Sequence, residues 1–197
     1  LYIPIVEFHN QVDSLVKDHK IKFHVLMDKA SGRLTKVPYI QFYSDLEETF
    51  YGFIFPNEYE GVVTSVDVHF IDNISDDSAI YEILGKGIPH LWERQNTVSF
   101  AYLSLMNQLN TKYGNNYVEK ETKTFPDTTF VNNKMTWSKE GLNISLMRKY
   151  LPIIPGKEMP YEAHRFELIK INYSLSDDFK KSHSEELNKL ASQKIDL

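Results

Sequence analysis

The spacing of apolar positions changes several times along this chain, and each change predicts an element. Ile5, Phe8, Val12, Leu15, Val16 and His19 recur at helical spacing behind Pro4, which suits a first helical turn, so a helix is expected at the start. From Ile21 the period drops to two. Ile21, Phe23, Val25 and Met27 alternate with Lys22, His24, Leu26 and Asp28, the pattern of a half-buried strand that ends in the turn-rich residues 28–32. Residues 34–43 can continue extended, although Pro38 lacks a ladder donor and pushes that part to a sheet edge or an irregular crossing.

The strongest β signal covers residues 48–71. Phe50, Tyr51, Phe53, Ile54 and Phe55 favour a strand, the polar stretch 56–61 turns the chain back, and a return strand follows. In it Val62, Thr64, Val66, Val68 and Phe70 share the face expected to meet the core, and Val63, Ser65, Asp67, His69 and Ile71 share the other. Ser75 can cap a short helix over 75–84, with Asp76 and Asp77 at its positive end and Gly85 as its stop. The clearest helix lies at 98–114, where Val98, Tyr102, Leu105, Met106, Leu109 and Tyr113 make one apolar stripe and Gly114 closes the last turn.

Residues 115–127 carry charge without hydrophobic period and read as a long loop or ragged strand. A second hairpin is predicted from 128–137 and 142–150, turning at 138–141. Prolines at 152, 155 and 160 then interrupt regular structure, and 164–173 form a last strand expected beside that hairpin. Ser176 opens a final helical segment whose apolar anchors are only Phe179, Leu187, Leu190 and Ala191, so residues 176–197 are expected to dock loosely. The whole reads as one α+β domain over 1–197: a mainly antiparallel sheet built from two hairpins plus additional strands, with helices on one face. Each half loosely echoes the other as helix then hairpin, but no residues match at a fixed period, and internal duplication is not expected.

Composition narrows the function classes. The 197 residues, 42% hydrophobic with 12 Phe and 12 Tyr, supply enough material for a core without disulfides or metals. Twenty-two basic against 27 acidic side chains give a net charge of −5, the wrong sign for general attraction to a phosphate backbone, so nucleic acid is not an expected partner. The absence of cysteine removes disulfides, thiolate metal sites and a cysteine nucleophile. No apolar run approaches a membrane span. The chain begins at Leu1, and an exported protein without its signal, periplasmic or at the cell surface, is the expected setting; a trimmed cytoplasmic chain is the alternative.

Tests for local chemistry fail one after another. The seven histidines show no metal-binding spacing, and the acidic run from Asp72 lacks the glycine and the glutamate of a calcium loop. Gly85-Lys86-Gly87 lacks the rest of a phosphate loop, and no serine elbow is present. No cofactor or metal is expected, no catalytic residue is assigned, and the oligomeric state is open. Asp67 with His69 and Glu162 with His164 are the groups that a hydrolase would need to bring together. Trp92, Trp137, Tyr51, Phe53 and Tyr59 are candidates for an aromatic ligand platform, against the plainer reading that they pack between sheet and helix.

These features point to a non-catalytic binding or assembly domain that meets a protein or carbohydrate through a sheet or aromatic surface. A carboxylate–histidine hydrolase and a carrier for a small apolar ligand are the alternatives, and a partner-inhibiting protein of the immunity type fits the same composition.

Overall fold

The computed structural model describes residues 1–27, 33–43, 49–71, 99–124, 130–150 and 167–192. The expected helix over 75–84, Trp92, Glu162 and His164 lie outside them. The architecture is α+β, with most of the described residues in one antiparallel sheet. Strand β1 (Ile3–Pro4) leads into helix α1 (Ile5–Lys17). Then come β2 (Lys22–Met27), β3 (Leu34–Tyr43), β4 (Thr49–Tyr59) and β5 (Val62–Ile71). Helix α2 (Ser99–Tyr113) precedes β6 (Val118–Thr124), β7 (Phe130–Lys139), β8 (Leu142–Tyr150) and β9 (Glu167–Leu175). Two short helices, α3 (Asp177–Ser182) and α4 (Ser184–Ser192), follow.

The strands run in the order β2-β3-β4-β5-β9-β8-β7-β6, with β1 on β5. In both halves a helix precedes four strands, and the two sets of four mirror each other across the central pair, β5 and β9. That pair is in register from Ser65 opposite Ser174 to Phe70 opposite Ile169. The symmetry is topological. It is carried by element order and not by residue identity, which is why the sequence shows only an echo of it.

Both faces of the sheet bury apolar side chains, so the alternation in the sequence does not separate core from solvent. On one face Val68, Phe70, Ile144, Leu146, Ile169, Ile171, Met135 and Trp137 meet Tyr102, Leu105 and Leu109 of α2. Three such helix residues contribute roughly 1.5–3 kcal/mol each by leaving water. On the other face Leu26, Val37, Phe53 and Ile71 form a smaller cluster with Tyr39, Tyr51 and Phe55. In β2 the expected core face is reversed: Leu26 is buried and Val25 is 48% exposed.

Several boundaries differ from expectation for local reasons. Pro4 is the N-cap of α1 and pairs with Val62, and His19 lies beyond the helix with φ +57°. Pro38 pairs with Phe23 in β2, while the ladder between β3 and β4 begins only at Tyr39 opposite Phe53. The proline therefore sits where one of two ladders stops. Strand β4 runs through Pro56 to Tyr59, because Pro56 pairs with Val66 on the β5 side, past the end of its ladder with β3. Residues 118–124, read as a loop or ragged strand, are edge strand β6.

Strands β4 and β5 turn at Glu60-Gly61, and β7 and β8 turn at Glu140-Gly141, all four residues having positive φ. Such two-residue turns match the twist of the strands they join and strongly favour glycine at the second position. The two glycines differ in surroundings: nothing lies within 4 Å of a Cβ added at Gly61, whereas one at Gly141 falls 2.5 Å from Cδ2 of Phe179. The backbone N–H of Ser176 also donates to the Gly141 carbonyl at 2.7 Å, so this turn anchors the start of α3. Gly61→Ala is expected to cost about 1 kcal/mol through backbone strain alone, and Gly141→Ala about 1–2 kcal/mol more. Equal losses in urea denaturation of the two variants would remove Phe179 from that role.

Candidate functional site

Residues directly opposite each other on neighbouring strands project from the same face, so the register shows what the face away from α2 carries. His69 on β5 lies opposite Lys170 on β9, and Lys170 opposite Met147 on β8. Met147 lies opposite Lys134 on β7, which lies opposite Lys120 on edge strand β6. One row of side chains thus crosses five strands and contains three lysines. Asn132 and Lys149 form a parallel pair beside it.

A cleft of about 420 Å³ opens along this row, bordered by all five residues of the row together with Asn132 and Lys149. Asn133 and Arg148 also border it, but their side chains engage other groups. The Arg148 guanidinium lies 5.0 Å over the Tyr102 ring of α2, and Asn133 Nδ2 donates to Glu119 Oε1 at 2.7 Å. Among the described residues the cleft walls are lysine stems, Met147, the His69 ring, the Arg148 stem and amides. Among the described residues neither Lys120 nor Lys134 forms an ion pair, so both ammonium groups face solvent with their charge available.

The other end of the row is electrically different. Asp67, on the same face as His69, accepts from Asn172 Nδ2 at 2.7 Å, from Lys170 Nζ at 3.2 Å and from Asn57 Nδ2 at 3.2 Å. Asn57 Nδ2 is also within 2.9 Å of Ser65 Oγ. Burial raises the Asp67 carboxyl, but the hydrogen bonds from Asn172 and Asn57 and the charge of Lys170 outweigh it and hold the group below the usual carboxylate range. His69 packs edge-on against Phe55, with ring centres 5.6 Å apart. Burial, followed by repulsion from Lys170, lowers its pKa to about 4 despite the attraction of Asp67. At neutral pH this end presents an uncharged imidazole and a neutralised lysine.

The four aromatic candidates among the described residues occupy different surroundings. Trp137 is 1% exposed, and its Nε1 donates to Gly114 O at 3.0 Å and to Asn110 Oδ1 at 3.2 Å at the end of α2. Phe53 is fully buried with Tyr51 beside it in the smaller cluster. Tyr59 stands at the end of β4 and is 66% exposed. Asp67 and His69 do share a face, but the Asp67 oxygens are taken by amides and an ammonium. Among the described residues no group of three or more His, Cys, Asp or Glu is placed to hold a metal ion. No helix among them is long and apolar enough to cross a membrane.

The lysine row escaped the reading of motifs because its members are far apart in sequence and meet only through register. A signal was present in β7, where Asn132, Lys134, Thr136 and Ser138 alternate with Val131, Met135 and Trp137. Comparison with known protein families, with curated proteins and with solved structures gives no match for this chain.

Proposed function

We propose that this chain is a non-catalytic binding domain, exported to the periplasm or cell surface, that engages an acidic macromolecule through the open face of its sheet. In this reading the two hairpins, β4–β5 and β7–β8, form the frame, the helices gather on the face of Trp137, and the opposite face of β6 to β9 is left for the partner. The observation that carries it is the row of Lys120, Lys134 and Lys170 along one cleft in a chain whose net charge is −5. A local positive field on an acidic protein favours an acidic partner at that place and repels it elsewhere. The hydrolase reading is weaker, since the Asp67 carboxylate is engaged by three donors and an imidazole with a pKa near 4 is a poor base at neutral pH.

The test is retention on an immobilised carboxylated polymer across a salt gradient. The double charge reversal Lys120→Glu with Lys134→Glu is expected to weaken binding at least about 10-fold and to flatten the salt dependence, while Lys181→Glu, on α3, leaves both unchanged. Equal retention of the double variant and the parent chain would overturn the proposal.

A further inference from the structure

The lysine row also suits a ligand small enough to sit within the cleft, an inference that rests on the charged row of the binding reading above and goes beyond it. The geometry points to a free single-chain amphiphile, a carboxylate of about twelve carbons, with its anionic head between Lys120 and Lys134 and its tail lying across the strands over Met147 toward His69.

The head group is set by two ammonium groups without a partner. Lys120 and Lys134 are directly opposite each other on β6 and β7, both are exposed, and neither forms an ion pair among the described residues. Like charges facing each other across neighbouring strands repel, and an anion held between them replaces that repulsion with two attractions. The other charged and amide groups at the cleft are committed: Lys170 to Asp67, Asn133 to Glu119, Arg148 to the Tyr102 ring, with Asn132 and Lys149 also engaged. The cleft therefore offers unspent charge at one end only.

Beyond that pair its wall is mostly carbon. Met147 lies half-buried in the row on β8, and the stem of Lys170 follows on β9 with its ammonium tied to Asp67. His69, uncharged at neutral pH and packed on Phe55, closes the row on β5. Lysine stems behave as apolar surface while their heads stay in water, so this path can take hydrocarbon. From the middle of the lysine pair to β5 is three and a half strand spacings, about 17 Å. A C–C bond of about 1.5 Å advances an extended chain by about 1.3 Å, so about a dozen carbons cover that distance. The volume of about 420 Å³ is also that of a small-molecule site. A polyanion leaves the carbon-lined part of the row unused, and an uncharged lipid leaves the lysine pair unanswered.

The experiment is calorimetric titration of the full chain at neutral pH with octanoate, dodecanoate and uncharged dodecyl maltoside, each below its micelle concentration. Dodecanoate is expected to bind one molecule per chain, at least about 10-fold more tightly than octanoate through half-burial of its further methylenes, and at least about 10-fold more tightly than the maltoside. Lys120→Gln and Lys134→Gln should each weaken dodecanoate about 10-fold. Met147→Gln should weaken it about 3-fold and leave retention on the carboxylated polymer unchanged. Circular dichroism of each variant confirms that it is folded.

Equal affinities for octanoate and dodecanoate, or no dodecanoate binding while polymer retention still depends on the lysines, would overturn the amphiphile inference and leave the acidic-partner reading standing. Dodecanoate binding that both lysine variants leave intact would place the tail elsewhere and overturn it as well. Co-sedimentation with phosphatidylglycerol vesicles without binding of free dodecanoate would overturn it in favour of a bilayer surface. Absence of dodecanoate binding together with polymer retention indifferent to the lysines would overturn both readings.

Discussion

Trp137→Ala is expected to lower the unfolding free energy by about 3–5 kcal/mol, the largest effect of any single substitution proposed for this chain. The indole is 1% exposed and sits in the cluster that joins α2 to β4, β5, β7, β8 and β9. Its ring packs against Tyr117, centre to centre 5.3 Å, and its N–H donates to Gly114 O and Asn110 Oδ1. Removing it opens a cavity and strips two acceptors of their donor at the point where α2 ends. Trp137→Phe keeps most of the ring but not the donor, and should cost about 1–3 kcal/mol. Urea denaturation of the two variants separates packing from hydrogen bonding. A loss below about 1 kcal/mol for the alanine variant would show that α2 is not held to the sheet through this side chain.

Acidification should destabilise the fold between pH 7 and pH 4 by as much as about 3 kcal/mol through His69 alone. Its pKa is lowered from 6.5 to about 4 in the fold, so the unfolded chain takes up the proton first. The stabilisation is therefore complete above about pH 6.5 and is lost as the pH falls toward 4. The groups facing the imidazole are Lys170, which opposes its charge, Asp67, which favours it, and the Phe55 ring. Asp67 has the same sign of linkage, since its folded pKa is also lowered, but its contribution is lost only below the ordinary carboxylate range. The two windows are distinct. Measuring stability at pH 7, 5.5 and 4 for the parent chain and for His69→Phe should show the loss between pH 7 and 4 reduced in the variant; an unchanged loss would mean that His69 is solvated in the fold.

The sequence made the regular elements legible where one face was apolar and the other was not. Helix α2 and strands β7, β8 and β9 fall close to where their periods place them, and Val68 and Phe70 meet the core as expected. Strand β6 was legible only as one of two alternatives, loop or ragged strand, because Val118-Glu119-Lys120-Glu121 at the sheet edge shows no hydrophobic period. In β2 the faces were misassigned because Phe23, Val25 and Leu26 are all apolar, and pattern alone cannot tell which of them a neighbouring strand will cover. Pro56 resembled a turn and is tolerated inside β4 because β3 has already ceased to pair there. Of the candidate site, Asp67 and His69 were identified as a pair on one face. The lysines were not, since no local spacing relates residues 120, 134 and 170.

The position of β9 between β5 and β8 also sets an order of assembly. The strands from 22 to 71 and those from 118 to 150 are consecutive neighbours, so each set can form from contacts close in sequence. The two sets share no direct ladder, and the edge of β5 from Ser65 to Phe70 and the outer edge of β8 gain their partner only with residues 167–175. During translation β5 and β8 are thus open templates, both rich in valine, isoleucine or leucine, for pairing with whatever strand arrives first. Insertion of β9 satisfies both edges in one step, and the lysine row acquires its Lys170 end at the same moment. Coupling of the two halves, and the late completion of the lysine row, follow from that single placement.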